Sequence, residues 1–384
     1  MPAPNESTWL SRDRAKFAPI QGFPHGGLGA VRKGDGIMTT PQADEWRSRG
    51  RYFSWRPQAE DASSVEIFHV EMGDPSAPVL LLVHGWPTSS IDWFEVANLL
   101  SRRFHVCALD FPGYGFSGKP RRWGYSLTRD EELIEFYLAE IIGAEASAIV
   151  AHDRGDSVAL VHAARCAEGR SATRLEHLVL SNGNIFLPLS NLTPAQRQML
   201  DAKSWSEAEA MLTPAILAEG MGAATFTPPR KPRDPVVQAL TATFAHNDGI
   251  KVLHEGIQYL VERSKDEQRW LRALAEASFP VTLIWGLYDT ISPPRVASYV
   301  WNEHLMLKPG GNRLYFIPDA NHYLQVDRPD AFAKVLLHAL GHPDDQAPGA
   351  LEAELGAPLL IDASRERLPA APDVLPADAP AGKS

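Results

Sequence analysis

The sequence predicts an α/β protein with a mostly parallel sheet, helices on both faces and a helical cap. Short apolar runs alternate with segments whose apolar residues recur at helical spacing, which is typical of parallel strands joined by crossover helices. One long stretch, residues 184–270, shows only helical patterning. A helical insertion after one sheet strand predicts a cap over the carboxyl edge of the sheet, where open α/β sheets bind their ligands.

The sheet is predicted from seven strand-like runs at residues 65–72, 79–83, 104–109, 146–151, 175–181, 281–286 and 313–317. A helix is predicted between the third and fourth runs. There Thr128 stands three residues before Glu131, as in a capping box, ahead of a periodic apolar face. This order of elements predicts a core of residues 49–183 and 271–342, with residues 184–270 as the cap.

The two ends of the chain show little periodicity. Residues 1–48 are rich in Gly, Pro and charge, and residues 343–384 in Pro, Ala and Asp. We expect a partly disordered N-terminal extension and a Pro/Ala-rich C-terminal tail. The alternative is that these segments wrap the domain, because Leu359, Leu360 and Ile361 give the tail an apolar stretch that can dock.

Composition and charge exclude several classes of protein. The chain has 384 residues, of which 44% are apolar and 22% charged, an ordinary balance for a globular protein. A formal net charge of −10 argues against a nucleic-acid binder, which needs a basic face, and lends no support to membrane-surface binding. The first residues lack the apolar centre of a signal peptide, and no apolar run approaches the ~18 residues of a membrane span. A cytoplasmic location is therefore expected.

Cysteine usage predicts neither a disulfide framework nor a metal site. The chain has two cysteines, Cys107 in an apolar strand and Cys166 in a helical pattern, and both are expected in the core. Two are too few for a disulfide scaffold or a zinc site. The glycine-containing segments match no dinucleotide or phosphate-loop signature. No cofactor and no metal are therefore expected.

A candidate nucleophile lies at residues 151–155, which are Ala-His-Asp-Arg-Gly between an apolar strand and an apolar helix pattern. A strained strand-to-helix turn tolerates only small flanking residues, here Ala151 and Gly155, and exposes one side chain over the N–H groups of a helix N-terminus. That side chain is Asp153. A carboxylate favours attack on saturated carbon, giving an ester that water then hydrolyses. The alternative for these five residues is an ordinary helix cap.

Two further side chains complete the order nucleophile, acid, histidine along the chain. Asp289 follows the strand predicted at 281–286, and His322 follows the strand predicted at 313–317. Asp289 is expected to orient the imidazole, and neutral His322 to take a proton from the water that attacks the ester. Asp319, three residues before His322, is a rival orienting acid.

Donors for a developing oxyanion are predicted at two backbone positions. His84-Gly-Trp-Pro follows the strand predicted at 79–83, and its turn would aim the N–H of Trp86 at the ester carbonyl, together with the N–H of Arg154. The indole N–H of Trp86 is also a candidate donor to a leaving group, with core packing as the alternative. His84 and His152 are predicted to be structural, and residues 110–117 to form a glycine-shaped turn.

Taken together, these motifs resemble the α/β-hydrolase superfamily over residues 50–342, and the resemblance implies the α/β-hydrolase fold. The aspartate elbow is similar to that of epoxide hydrolases and of haloalkane or haloacid dehalogenases. Residues 181–186 (Ser-Asn-Gly-Asn-Ile-Phe), 247–249 (Asn-Asp-Gly), 258–259 (Gln-Tyr) and 269–270 (Arg-Trp) resemble the mesoderm-specific-transcript-like hydrolases. That branch has a less settled substrate.

The resemblance implies where hydroxyl donors to a leaving group would lie. Epoxide hydrolases share two cap tyrosines that donate to the epoxide oxygen, because an alkoxide is a poor leaving group without them. Residues 184–270 contain only Tyr259, which matches the second of these tyrosines. The first would be replaced by His246, by His254 or by nothing.

The same resemblance suggests donors to a halide. Haloalkane dehalogenases typically carry Trp after the nucleophile, where this chain has Arg154, a permanent cation that can bind halide or a carboxylate. The elbow is also similar to that of fluoroacetate dehalogenases. Their second arginine, four residues after the nucleophile, is replaced here by Ser157.

Three functions remain open. An epoxide hydrolase is favoured by Tyr259, and a haloalkane or haloacid dehalogenase by Arg154 and Trp86. The third possibility is a non-catalytic member that binds a ligand or partner through the cap. Esterase activity ranks last, since no Ser occupies a small-x-Ser-x-small turn. The expected partners are a small apolar substrate, held by the cap, and water.

Overall fold

The computed structural model describes residues 40–58, 63–201, 205–341 and 360–362. The strands of this part of the chain are β1 (Gly50–Trp55), β2 (Val65–Met72), β3 (Val79–Val83), β4 (His105–Leu109), β5 (Ala146–His152), β6 (Arg174–Ser181), β7 (Val281–Gly286), β8 (Arg313–Ile317) and β9 (Leu360–Asp362). Its α-helices are α1 (Pro41–Arg49), α2 (Phe94–Leu100), α3 (Leu127–Phe136), α4 (Arg154–Ala167), α5 (Pro194–Leu200), α6 (Trp205–Met211), α7 (Pro214–Ala224), α8 (Pro235–Ala245), α9 (Leu253–Gly256), α10 (Tyr259–Glu276), α11 (Pro294–Val300), α12 (Leu324–Asp327) and α13 (Pro329–Ala339).

The strands form one sheet in the order β1-β2-β4-β3-β5-β6-β7-β8-β9. Strands β3 to β8 pair in parallel, whereas β1, β2 and β9 pair antiparallel with their neighbours. The predicted mostly parallel α/β sheet is therefore confirmed. All seven predicted strands are present, and their bounds agree with the prediction to within one residue.

The central strands are apolar along their whole length because helices cover both faces of the sheet. In β3 the side chains of Leu81 and Val83 pack into one apolar cluster, and those of Leu80 and Leu82 into the other. Successive side chains of a strand point to opposite faces, so this division is what two covered faces require.

Two strands were not predicted. In β1 the side chains of Arg51 and Tyr52 are exposed, as befits an edge strand that lacks the apolar alternation of an inner strand. The three residues of β9 pair antiparallel with β8. This pairing agrees with the alternative that the tail docks, at Leu360 and Ile361. Leu359, residues 343–358 and residues 363–384 lie outside the described part, as do residues 1–39 of the predicted extension.

The last residues of the predicted extension are helical. Helix α1 begins after Thr40, whose hydroxyl accepts a hydrogen bond from the N–H of Ala43. Trp46 is buried and donates its indole N–H to Ser90 Oγ at 3.0 Å. This helix was missed because its buried residues are too few to give a periodic apolar pattern.

The predicted capping box of α3 is wrong. The N-cap is Ser126, whose backbone is extended and whose hydroxyl accepts from the N–H of Arg129 at 3.2 Å. Thr128 therefore lies within the first turn, and the Glu131 carboxylate contacts His162 instead of returning to the cap.

Between β6 and β7 the chain forms helices α5 to α10, as the helical patterning predicted. We call residues 184–270 the helical insertion; its last helix, α10, continues to Glu276. The insertion contacts the loops that follow the strands. Asn321 Nδ2 donates to the carbonyls of Ala224 and Phe226 at 3.2 and 3.3 Å, and the Phe226 ring stacks on Tyr323. None of the described helices is long and apolar enough to cross a membrane.

Candidate active site

Asp153 lies in a tight turn between β5 and α4. Its φ and ψ are 53° and −117°, a conformation that residues with a side chain rarely adopt. A Cβ on Gly155 would lie 2.7 Å from the carbonyl oxygens of Val83 and His84, so glycine is required there. The turn thus has the strand-to-helix geometry predicted for residues 151–155, and Asp153 is 2% exposed.

The carboxylate of Asp153, the residue that precedes α4, is held by a backbone donor from the turn after β3. Its Oδ1 accepts a hydrogen bond from the N–H of Trp86 at 2.8 Å. Burial raises the pKa of Asp153, but hydrogen bonds from His322 and Trp86, with the charges of His322 and His152, outweigh burial and lower that pKa below its usual value. The carboxylate is therefore ionised at neutral pH, with one oxygen already placed on a backbone N–H.

His322 lies between two carboxylates. Its Nδ1 is 3.0 Å from Asp289 Oδ2, and its Nε2 is 3.5 Å from Asp153 Oδ2. Burial alone would lower the pKa of His322, but the charge of Asp289 and hydrogen bonds to both carboxylates raise it to about 10. The three side chains that the sequence placed on separate loops therefore meet in one chain of contacts.

Asp289, and not Asp319, contacts the histidine. Asp289 Oδ1 accepts from the N–H groups of Ile291 and Ser292 at 2.8 and 2.9 Å, which leaves Oδ2 for the imidazole. The Asp319 side chain is 69% exposed, and its carboxylate lies 3.7 Å from Arg328 Nη1. The rival orienting acid is therefore on the surface.

The loop that carries His322 is anchored by Asn182, for which the sequence predicted no role beyond its place in the 181–186 motif. Asn182 Nδ2 donates to the carbonyls of Asn321 and His322 at 2.8 and 3.0 Å, and its Oδ1 accepts from the N–H of Gly286 at 2.9 Å. His152 Nε2 also donates to the His322 carbonyl, at 2.8 Å. Strands β5, β6 and β7 thus fix the position of the histidine.

His84 has the structural role that was predicted for it. Its Nδ1 donates to the Gly85 carbonyl at 2.8 Å, and its Nε2 accepts from the N–H of Phe111 at 3.1 Å. Burial lowers the pKa of His84 to about 3, so the ring is neutral. It ties the turn that bears Trp86 to the loop after β4.

The two side chains predicted to bind a halide are engaged elsewhere. The Trp86 indole N–H donates to the Leu253 carbonyl at 3.2 Å, so this proton is already used by the insertion. The Arg154 guanidinium donates through Nη2 to buried Asp130. Its charge is thereby compensated on the α3 side, which removes the reason to assign it to an anion in the site.

Three aromatic rings surround the Arg154 guanidinium. Its Cζ lies 5.5, 5.2 and 5.6 Å from the ring centroids of Phe111, Tyr114 and Tyr259. Burial raises the pKa of both tyrosines, so both hydroxyls are protonated. Asp153 is among the charges that act on each hydroxyl. Tyr114 was missed because its loop was interpreted only as a glycine-shaped turn.

Of the two histidines considered as substitutes for a second tyrosine, His246 faces a different cleft, and the role of His254 stays a prediction. The His246 ring packs edge-on against Phe116 and lines a cleft of about 420 Å³ with Arg47, a cleft that Asp153 and His322 do not line. His254 lies in α9, where burial and the charge of Arg121 lower its pKa to about 4.

A buried arginine of the insertion occupies the space beside Ser157. Arg263, on α10, donates through Nε to Ser157 Oγ at 2.7 Å and through Nη1 to the Ile185 carbonyl at 3.0 Å. An arginine therefore does lie beside residue 157 of the elbow helix, but it comes from α10, a distant part of the sequence. Only tertiary packing could reveal it.

One cluster of metal-ligating side chains exists among the described residues, formed by Glu131, Glu135 and His162. These side chains already contact one another, and Glu135 also contacts Ser171. His162 Nδ1 is 3.0 Å from Glu131 Oε1, and Glu135 accepts from Ser171 Oγ at 2.8 Å. The cluster therefore has a structural explanation between α3 and α4.

Comparison with known proteins places the chain among hydrolases. The family described as "Alpha/beta hydrolase family" matches residues 80–335. The putative hydrolase LipZ of Mycobacterium tuberculosis is 34% identical over 303 residues, covering 79% of this chain and 99% of LipZ. The human mesoderm-specific transcript homolog protein is 29% identical over 300 residues, covering 76% of this chain and 86% of that protein. The solved structure of the putative ancestral haloalkane dehalogenase AncHLD2 superposes with a TM-score of 0.61, at 21% identity, covering 77% of this chain and 100% of that one.

Proposed function

The chain belongs to the alpha/beta hydrolase family, and on that premise we propose that Asp153 attacks a saturated carbon of the substrate and forms an ester of the enzyme. The single observation that carries the proposal is the contact pattern of the Asp153 carboxylate. Oδ1 accepts the N–H of Trp86, and Oδ2 lies 3.5 Å from His322 Nε2. Oδ1 is thus placed to become the carbonyl oxygen of the ester, and Oδ2, next to His322, is the oxygen that attacks.

The ionised state of Asp153 supports the first step. Because the pKa of Asp153 is lowered, Oδ2 carries the negative charge that a nucleophile needs at neutral pH. In attack, a bond forms between Oδ2 and the substrate carbon, and the bond from that carbon to the leaving group breaks. The product of this step is an ester whose carbonyl oxygen, Oδ1, remains on the Trp86 N–H.

The second step uses His322 as a base for water. In the free protein His322 lies beside two negative carboxylates, which raise its pKa to about 10. Formation of the ester removes the charge of Asp153, so the pKa of His322 falls, the imidazolium can release its Nε2 proton, and the neutral Nε2 can then accept a proton from water. Water then attacks Cγ of Asp153, and the negative charge that develops on Oδ1 is stabilised by the Trp86 N–H, with the N–H of Arg154 as the second predicted donor.

An epoxide is favoured over a halide as the reacting group. The two predicted halide donors, the Trp86 indole and the Arg154 guanidinium, already bind Leu253 and Asp130. The Tyr259 side chain is buried, and burial raises the pKa of its hydroxyl, which is therefore protonated. A neutral hydroxyl suits an oxygen leaving group, which must gain a proton, better than a halide, which leaves as an anion.

The alternative, a haloalkane dehalogenase, is supported by the likeness to AncHLD2, a putative ancestral haloalkane dehalogenase. Both reactions would use Asp153, His322 and Asp289 in the same way. They differ in the leaving group, so the covalent intermediate distinguishes them.

We propose that the helical insertion acts as the cap that holds the substrate. It supplies Tyr259, and the Leu253 carbonyl of the same insertion binds the Trp86 indole. Apolar residues of the insertion join the core cluster beside the site, including Leu253, Ile257 and Leu260. Trp86 and Tyr259 belong to the same cluster, and these apolar surroundings favour a small apolar substrate.

The experiment is to trap the ester with His322→Gln, which retains Asp153 but lacks the base for hydrolysis. Intact-protein mass is recorded after incubation with styrene oxide and, separately, with 2-bromoethylbenzene. A mass gain of the whole epoxide, located on the Asp153 peptide, identifies an epoxide hydrolase. A gain of the alkyl group without bromine identifies a dehalogenase. The matched control, Asp153→Asn with His322→Gln, must show neither adduct, and labelling of the control would contradict the proposed nucleophile.

A further inference from the structure

We infer that Tyr114, in the loop after β4, is a second hydroxyl donor to the leaving oxygen and faces the same substrate atom as Tyr259. The inference rests on the proposed function, since such a donor is needed when Asp153 opens a carbon–oxygen bond. It assigns a catalytic residue to the core of the protein, outside the helical insertion.

The Tyr114 hydroxyl is buried without a hydrogen-bond partner in the part of the chain that the structure describes. The residue is 1% exposed. A buried hydroxyl that lacks a partner is costly, and in folded proteins such groups are few and have a reason. A substrate oxygen beside Asp153 would supply the missing acceptor.

The position of this hydroxyl follows from Gly256, the last residue of α9. A Cβ on Gly256 would lie 2.4 Å from Tyr114 Oη and 3.7 Å from Trp86 Cδ1. The backbone N–H of Trp86 in turn donates to Asp153 Oδ1 at 2.8 Å. Gly256 therefore lies against both Tyr114 Oη and the indole of Trp86, the residue whose N–H holds the nucleophile, and its missing side chain leaves room for the hydroxyl.

Arg154 holds the two tyrosine rings in place and is a positioning residue. Its guanidinium carbon lies 5.2 Å from the Tyr114 ring and 5.6 Å from the Tyr259 ring, with Asp130 bound on the side of α3. The same cation acts on both hydroxyls. Burial raises the pKa of each tyrosine and keeps it protonated, while the charge of Arg154 opposes this effect and favours the phenolate that proton transfer leaves behind.

Every proton moved during the reaction of an epoxide can be traced. As Asp153 Oδ2 bonds to the epoxide carbon, the carbon–oxygen bond breaks and its electron pair stays on oxygen. That oxygen takes a proton from Tyr114 or Tyr259, which becomes a phenolate. Once the ester has formed, the imidazolium of His322 releases its proton, which restores the phenol. His322 then takes one proton of the attacking water and the diol oxygen that leaves Cγ takes the other, so the enzyme returns to its starting protonation state. The net reaction adds one water to one epoxide and gives a diol.

The test compares alkylation of Asp153 by an epoxide and by a bromide in the His322→Gln background. Single-turnover rates are measured by intact mass with styrene oxide and 2-bromoethylbenzene for Tyr114→Phe, Tyr259→Phe and the double variant. We expect each single change to slow the epoxide reaction about 10- to 100-fold and the double change about 10²- to 10⁴-fold. Bromide departs without a proton, so its reaction should slow at least tenfold less than that of the epoxide.

Two controls separate catalysis from packing. Tyr137→Phe removes a buried hydroxyl whose partner is His69 of β2, and it should leave both rates unchanged. Gly256→Ala adds the methyl group that meets Tyr114 Oη and should slow the epoxide reaction. Gly220→Ala, on exposed α7 with nothing near its Cβ, should not.

Each other outcome counts against the assignment. An equal loss for both electrophiles in Tyr114→Phe gives the residue a packing role only, and an unchanged epoxide rate removes Tyr114 as a donor while Asp153 keeps its role. If the bromide labels the parent His322→Gln protein but the epoxide does not, the proposal of an oxygen leaving group is wrong, whereas the proposal of Asp153 as nucleophile is retained. If neither labels it, the proposed function falls and the role of Tyr114 falls with it.

Discussion

The two sides of the candidate site are built differently. We call Asp153, Asp289 and His322, on the loops after β5, β7 and β8, the nucleophile side; Trp86, Tyr114, Arg154 and Tyr259 are the leaving-group side. On the nucleophile side each functional group contacts the next and is braced by backbone N–H groups or by Asn182. On the leaving-group side the Tyr114 hydroxyl and two guanidinium nitrogens of Arg154 have no hydrogen-bond partner among the described residues.

This difference is what we expect if the leaving-group side receives the substrate. The braced carboxylates and histidine need no ligand to hold their geometry, so they are organised before substrate binds. The unpaired hydroxyl opposite them lacks an acceptor, and a substrate oxygen can supply one. In the proposed mechanism the nucleophile side carries the steps that the two candidate reactions share, and the other side determines which leaving group departs.

The largest loss of activity is expected when the nucleophile is removed. Asp153→Ala should reduce turnover of the identified substrate by about 10⁴- to 10⁶-fold, because no other described carboxylate lies on the Trp86 N–H. The measurement is steady-state kcat/KM. The matched control is Asp319→Ala, an exposed carboxylate beside Arg328, which should retain full activity. Retained activity in Asp153→Ala would end the proposed mechanism.

A second variant on the nucleophile side tests whether Asp289 orients His322. Asp289→Asn retains the shape of the side chain but can present an N–H to His322 Nδ1, which disturbs the tautomer, so kcat should fall about 10³- to 10⁴-fold. In single-turnover mass measurements the Asp153 ester should accumulate, because hydrolysis suffers more than attack. Equal slowing of attack and hydrolysis would instead indicate that Asp289 mainly supports the fold.

The buried pair of Asp130 and Arg154 tests the leaving-group side through stability. Asp130→Asn leaves the Arg154 charge buried without its carboxylate, and we expect the free energy of unfolding to fall by about 3–5 kcal/mol in urea titrations. The double change Asp130→Asn with Arg154→Met removes the charge as well and should recover part of the loss. A double variant less stable than the single one would show that Arg154 does not depend on Asp130.

The coupling between the two carboxylates and His322 gives the smallest effect. Asp153→Asn imitates the uncharged ester, so the pKa of His322, about 10 in the free protein, should fall by at least about 1 unit, or about 1.4 kcal/mol. The sign follows from the loss of one negative charge next to an imidazolium. Nitrogen-15 NMR of the imidazole across a pH series measures this shift, and an unchanged pKa would mean that ester formation does not prepare the base.

The sequence predicted correctly that Asp153, Asp289 and His322 lie together, because backbone topology decides their placement. The carboxyl ends of β5, β7 and β8 lie at one edge of a parallel sheet, so Asp153, Asp289 and His322 were expected together from their order alone. The elbow was also predictable, since Gly155 is the residue that the contact with Val83 and His84 allows.

The leaving-group side was predicted poorly because side-chain packing decides it. Which group compensates Arg154 depends on α3 lying beside α4, and the partner of the Trp86 indole depends on where α9 packs. Tyr114 looked like part of a turn, and Arg263 lies 106 residues from the Ser157 hydroxyl it binds. The true cap of α3 was missed for a local reason, because Ser126 and Thr128 both suit that position.

The most direct test of the central claim is the fate of oxygen in one turnover. Enzyme in excess over the identified substrate is mixed in H₂¹⁸O, and the Asp153 peptide and the product are analysed by mass spectrometry. If Asp153 forms an ester that water attacks at Cγ, then ¹⁸O enters the Asp153 carboxylate and the new hydroxyl of the product carries the ¹⁶O that Asp153 began with. If ¹⁸O appears directly in the product and Asp153 remains unlabelled, water attacks the substrate itself and the covalent account is wrong.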